Sequence, residues 1–184
     1  MLHKSLIELF EVPQKCNTVG DLVLQNDIYQ IIFESKTDKQ WFLSLANDYV
    51  LLSTIDPTRD IFIDTYQNLI KFLEQLLTDT KSFPFTLNSL IIDDLSRFYF
   101  SKVDLQGLKN LLLNIKDRFK CNILIFSWDY KFDRGFRNMT HKDISELDNN
   151  ISYLNLNLDF LYVYKSTIYK YFDHRYQAIE ELKA

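Results

Sequence analysis

The sequence predicts an α/β fold: a mainly parallel sheet flanked by helices, with antiparallel hairpin strands at its C-terminal end. Three observations predict it. Short β-branched and aromatic runs alternate with stretches of helical period. Two of those runs, 89–93 (SLIID) and 122–128 (NILIFSW), are nearly all apolar, as strands buried on both faces require. The last three runs follow one another across polar breaks with no helix between them.

Each element has its own signal. Residues 27–33 (DIYQIIF) read as a strand, then a polar break (ESKTDK) and a short amphipathic helix (QWFLSLA). Residues 49–55 (YVLLSTI) read as a buried strand, which Asp56-Pro57-Thr58 stops. A helix is expected over 59–77, where Phe62, Tyr66, Leu69, Ile70, Leu73, Leu76 and Leu77 recur at three and four residue spacing. Residues 81–86 contain Pro84 and read as a loop before the 89–93 strand. A second core-facing helix is expected over 104–120, with Leu105, Leu108, Leu111, Leu112, Ile115 and Phe119 on one side. After the 122–128 strand, residues 129–150 lack apolar periodicity and read as a long loop, of a length that in compact domains is usually functional. Residues 159–164, 168–172 and 175–179 then form a terminal meander or hairpin. With no repeat and no linker, 1–184 reads as a single domain, with 1–20 an N-terminal arm or partner contact and 21–184 the core.

Composition removes whole classes of function. The 184 residues are 47% hydrophobic and 25% charged, with 15 Phe and 11 Tyr, which is ample for a core and unlike a disordered chain. The three glycines, Gly20, Gly107 and Gly135, are nowhere close together, so a glycine-rich phosphate loop in its usual form is excluded. Two cysteines, Cys16 and Cys121, are too few for a disulfide framework and read as buried free thiols of an intracellular protein. His3, His141 and His174 show no ligand spacing, so no metal site is expected. The N-terminus has no secretory pattern and no stretch approaches about 18 consecutive apolar residues, so neither secretion nor a membrane span is expected.

The net charge of -4 hides a basic middle. Residues 1–96 carry 7 basic and 14 acidic side chains, 97–142 carry 10 and 4, and 143–184 carry 4 and 7. Local positive potential of this kind suits a polyanion partner, although a solvated helix face and a polar loop would read the same way.

Ligands of such sheets bind beyond the carboxyl ends of the strands. Two ends stand out. Between the first strand and first helix lies Phe33-Glu-Ser-Lys-Thr-Asp38-Lys39-Gln40, where a phosphate loop G-x-x-x-x-G-K-[ST] would sit, and only Lys39 matches it. The run Leu90-Ile91-Ile92-Asp93 ends in an acid as a metal-orienting Walker B strand does. Phe33 and Asp38 stand where the two glycines belong and Gln40 where the hydroxyl belongs. A carboxylate about 4 Å from a phosphate would cost on the order of 4 kcal/mol at an effective dielectric of about 20, so neither ATP hydrolysis nor tight nucleotide binding is expected.

With the element order, these motifs resemble the RecA-type recombinase family over about residues 20–181, and within it most of all the RecA-like subunits of the fungal Shu complex. GDLVLQNDIYQIIFESKTDKQWFLSLA resembles that family's strand, ATP loop and first helix; DYVLLSTID its second strand; SLIIDDLSRFYF its Walker B strand and first DNA loop. NILIFSW, the long basic loop and LDFLYVYKSTIYKYFDHRYQAIEEL resemble its sensor strand, second DNA loop and closing hairpins.

The resemblance implies a non-catalytic, RecA-like subunit of a recombination-mediator complex, with no cofactor. It implies Arg97 and Lys102 near the first DNA loop and Lys131, Arg134, Arg137 and Lys142 on the second, with Tyr130, Phe132 or Phe136 available to stack on unpaired bases. A degenerate nucleotide site would comprise Phe33, Asp38, Lys39, Gln40 and Asp93. The implied partners are a second RecA-like paralogue subunit in a heterodimer, further mediator-complex subunits, the recombinase filament and single-stranded or forked DNA, in the nucleus and not at a membrane. Two alternatives stand beside it: a RecA-like scaffold subunit of Elongator acting in tRNA modification, and a small phosphohydrolase using Asp93 and Asp94, which lacks an accompanying base or phosphate cradle.

Overall fold

The computed structural model describes residues 17–20, 22–24, 27–33, 35–79, 87–95, 98, 105–128, 159–172 and 175–179. Nine strands and three helices lie among them, in the order β1 (Asn17–Val19), β2 (Leu22–Leu24), β3 (Ile28–Phe33), α1 (Lys36–Leu45), β4 (Tyr49–Ser53), α2 (Tyr66–Thr78), β5 (Ser89–Asp93), α3 (Leu105–Phe119), β6 (Asn122–Trp128), β7 (Asp159–Tyr164), β8 (Thr167–Phe172) and β9 (Arg175–Ala178). Seven strands form one sheet in the order β4-β5-β6-β3-β7-β8-β9. The pairs from β4 through β7 are parallel, and β7-β8 and β8-β9 are antiparallel. This is the α/β class expected from the alternation, a parallel sheet finished by antiparallel strands.

Period-two alternation sends the central strands β3, β5 and β6 into two cores. In β6, Ile123 and Ile125 enter a cluster with Leu69, Leu73 and Leu76 of α2 and Leu108, Leu112 and Ile115 of α3. Leu124 and Phe126 enter the other, with Phe42 of α1 and Val19, Leu22 and Leu24 of β1 and β2. Helix α1 therefore covers one face of the sheet while α2 and α3 cover the other. Both faces being covered is why β3 and β5 are buried at every position.

Two helix starts and one hairpin depart most from the sequence reading. Helix α1 starts at Lys36, not Gln40, because Ser35 adopts extended φ and ψ and its hydroxyl accepts the Asp38 N–H as an N-cap. Helix α2 starts at Tyr66, not Arg59, capped by Thr65. The preceding residues instead run beside β4: Ser53 N–H donates to Ile61 O at 3.0 Å and Ile63 N–H to Ser53 O at 2.9 Å. The β1–β2 hairpin was not anticipated. Gly20 turns it with φ 57°, and its N–H donates to Leu45 O at the end of α1. The expected loops at 81–86 and 129–150 lie outside the described residues. Cys121 is a buried cysteine, as expected, and Cys16 lies outside the described residues.

Candidate functional site

Strands β3, β5 and β6 end side by side at Phe33, Asp93 and Trp128, with α1 starting just beyond β3. This carboxyl edge gathers four of the five residues assigned to the degenerate nucleotide site. Phe33 is wholly buried and packs edge-to-face on Phe126 at 4.8 Å and on Phe42 at 5.7 Å between ring centroids. An aromatic ring in the apolar core thus stands where a phosphate loop needs a bare backbone.

Asp38 lies in the first turn of α1 and is 6% exposed. Its Oδ2 accepts the Ser35 hydroxyl at 2.8 Å, and its Oδ1 accepts the backbone N–H of Ser166, from the β7–β8 turn, at 2.9 Å. The positive end of α1, the natural dock for a phosphate, already holds a carboxylate of the chain itself.

Lys39 is not a surface lysine. Its ammonium forms a buried ion pair with Asp93 Oδ2, with side-chain exposures of 11% for Lys39 and 1% for Asp93, and lies 5.9 Å from the centre of the Phe126 ring. Asp93 Oδ1 is buried with no hydrogen-bond partner among the described residues. The two residues that a phosphate loop and a Walker B strand would turn toward a nucleotide and its metal are therefore turned toward each other. Among the described residues no group of three or more His, Cys, Asp or Glu could hold a metal ion.

The turn after β5 is held tightly. Asp94 takes a left-handed φ of 77° and is 5% exposed, and its carbonyl accepts the Thr54 hydroxyl at 2.5 Å. Gln40 points outward and lines a polar cavity of about 410 Å³ with Lys36, Lys39, Asp56 and Arg59. In that cavity the Thr58 hydroxyl and backbone N–H hold the Asp56 carboxyl below its usual range, with Arg59 assisting.

The structure brings together Phe33, Asp38, Lys39 and Asp93 and leaves Gln40 on the rim. All six residues assigned to DNA contact, Arg97, Lys102, Lys131, Arg134, Arg137 and Lys142, lie outside the described residues. Sequence reasoning missed Ser35, although Ser35-Lys-Thr-Asp38 has the spacing of a capping box. It also missed Ser166, which sits 128 residues from Asp38 and carries no local signal.

The arrangement does not fit a nucleotide with its metal. Entry of a phosphate would have to break the Lys39–Asp93 pair and displace the Asp38 carboxylate.

A family model described as the Shu complex component Psy3, DNA-binding description, matches residues 23–170. No curated protein matches the chain in sequence. Among solved structures it is similar to the cytoplasmic domain of the Thermomonospora curvata type VII secretion ATPase EccC, at 10% identity and a TM-score of 0.46, over 85% of this chain and 24% of that one. The chain thus spans about a quarter of that structure's length. The family match runs from β2 into β8 and so takes in the whole parallel sheet. The chain belongs to the family of the Shu complex component Psy3.

Proposed function

We propose that this chain is a non-catalytic, nuclear subunit of a recombination-mediator complex, a single RecA-like domain that pairs with a second RecA-like subunit, contacts DNA without reading its sequence, and promotes assembly of the recombinase filament. The observation that carries the non-catalytic part is the buried Lys39–Asp93 pair. Separating such a pair costs about 3–5 kcal/mol. A nucleotide that would otherwise bind at about 1 μM, near -8 kcal/mol, would be left with a Kd of about 0.2–5 mM. The phosphohydrolase alternative needs a free Asp93 carboxylate, which among the described residues is paired with Lys39, and the Elongator alternative draws no support from the family match.

The DNA-binding part is supported by the family description and by topology. Strands β5 and β6 are parallel neighbours, so the segments that follow Asp93 and Trp128 leave the sheet from the same edge. Those segments carry Arg97, Lys102, Lys131, Arg134, Arg137 and Lys142. Phosphate contacts from such residues supply affinity and strong salt dependence, and Tyr130, Phe132 or Phe136 would add stacking on unpaired bases.

The test is charge reversal of Arg134 and Arg137 in the assembled complex, read by fluorescence anisotropy on single-stranded and forked DNA across a salt series. Losing two phosphate contacts lowers the slope of log affinity against log salt by about 1.4 on single strands. An unchanged slope and affinity would refute the assignment. Calorimetric titration with Mg-ATP tests the other half: micromolar binding that disappears in Lys39→Ala would show a working nucleotide site.

A further inference from the structure

A groove of about 360 Å³ lies on the α1 side of the sheet, away from α2 and α3. Its walls come from the β1–β2 hairpin (Val19, Leu22), α1 (Trp41, Leu45), the start of β8 (Ile168) and Ile179, which follows β9. None of its lining residues carries a charge. Trp41, Leu45 and Ile179 pack against the apolar core on that side but are only half-buried. The described residues therefore leave part of three large apolar side chains uncovered at one place.

An uncharged lining suits neither a polyanion nor an acidic peptide, and asks for an apolar occupant. The chain supplies one at the edge of the groove. Residues 1–16 lead directly into β1, whose first residue stands two positions before Val19. They carry Leu2, Leu6, Ile7, Leu9, Phe10 and Val12. Leu6, Leu9 and Phe10 recur at three and four residue spacing, Ser5-Leu-Ile-Glu8 has the spacing of a capping box, and Pro13 ends the run. This pattern predicts a short amphipathic helix with those three side chains on one face. A helix so short is marginal in water and needs an apolar surface to form on. Residues 13–16 can span about 13 Å, enough to bring it over a groove whose α1 wall, from Trp41 to Leu45, is about 6 Å long. The other segment that meets the groove, 180–184, suits it poorly, because Glu180, Glu181 and Lys183 leave Leu182 as its single large apolar residue.

We infer that residues 1–16 dock in this groove of their own chain, with Leu6, Leu9 and Phe10 against Trp41, Leu45 and Ile179. The docked segment completes the apolar cover of α1 and ties the β1–β2 hairpin to the antiparallel end of the sheet. It is then an internal element of the domain and not an arm offered to a partner subunit, whether or not the chain binds DNA.

The experiment uses the full-length protein with Cys16→Ser and a nitroxide on Lys4→Cys, Cys121 being buried, and follows paramagnetic broadening by NMR. Isotope-labelled, spin-labelled protein is diluted into an excess of native protein. The Leu45, Ile168 and Ile179 methyl signals should lose most of their intensity, while those of Leu112, on the opposite face of the sheet, keep theirs. Adding Leu6→Asp and Phe10→Asp, which change no residue of the described core, should restore the three signals. A second sample mixes isotope-labelled protein free of nitroxide with spin-labelled protein free of isotope, and its signals should be unaffected. Full intensity in the first sample, or broadening that survives both substitutions, would overturn the inference and leave the groove to an apolar ligand. Broadening confined to the mixed sample would overturn it as well, by giving the groove to a second copy of the chain.

Discussion

Replacing Lys39 by Met keeps an unbranched side chain of similar length and removes only the charge, which isolates what the ammonium does for Asp93. The carboxylate is 1% exposed on its side chain, and its second oxygen has no partner among the described residues, so without Lys39 nothing compensates its burial. Uncompensated buried charge of this kind costs about 3–5 kcal/mol. The reverse change, Asp93→Asn, should cost less, about 1–3 kcal/mol, because the Lys39 side chain is 11% exposed and its flexible stem can carry the ammonium to water. The double variant should fall short of the sum by at least about 1.5 kcal/mol, as expected for groups in direct contact. Urea unfolding followed by tryptophan fluorescence at pH 7 measures all three variants against the native protein. A gap under about 1 kcal/mol between Lys39→Met and the native protein, or a double variant whose loss equals the sum of the two single ones, would refute the reasoning.

Other perturbations have equally definite outcomes. Phe33→Gly restores the first glycine of the phosphate-loop pattern but empties the space between Phe42 and Phe126, so it should cost at least about 3–5 kcal/mol in denaturant unfolding and gain no ATP binding by calorimetry. Gly20→Ala places a Cβ 3.3 Å from Leu45 Cδ1 on a backbone with φ 57°, and should lower stability by about 1–2 kcal/mol in the same assay. The Thr58 hydroxyl and backbone N–H hold the Asp56 carboxyl below its usual range, so its contribution is present above the unfolded value and is lost as pH falls through the folded one. In Thr58→Val the NMR titration midpoint of the Asp56 carboxyl should therefore move upward. Leu112→Ala, at a fully buried position between α3 and the sheet, should cost about 2–5 kcal/mol without altering DNA affinity per folded molecule.

The parallel strands were legible because burial on both faces leaves an apolar run that few other contexts produce, as in SLIID and NILIFSW. The starts of α1 and α2 were less so. Ahead of α2, Phe62 fits the helical period with Tyr66 and Leu69, yet the backbone of residues 61–63 is drawn to the open edge of β4, a tertiary competition that periodicity cannot register. The β1–β2 hairpin escaped because its strands have three residues each, too short for alternation to show. At the site, the residue types were readable and their pairing was not. Lys39 and Asp93 were both singled out, each as a remnant of a nucleotide function. That they neutralise each other depends on β5 and α1 meeting at one edge of the sheet, which follows from the strand order β4-β5-β6-β3 and not from any local pattern.

That pairing also bears on how the domain stays folded without a ligand. A protein that binds nucleotide at about 1 μM and meets it at about 1 mM gains roughly 4 kcal/mol of stability by mass action, a contribution that disappears when the ligand does. Simple deletion of the glycines and the hydroxyl would forfeit that amount and leave a buried lysine and a buried aspartate without their usual partners. Here the chain supplies internal substitutes: the Phe33 ring fills the loop, the Asp38 carboxylate takes the anion position, and Lys39 and Asp93 compensate each other. Unlike a bound ligand's contribution, that of these contacts does not vary with concentration. The Tm of this chain should accordingly be flat in Mg-ATP from zero to several millimolar, whereas a domain that had merely lost hydrolysis and kept binding would rise by several degrees over the same range.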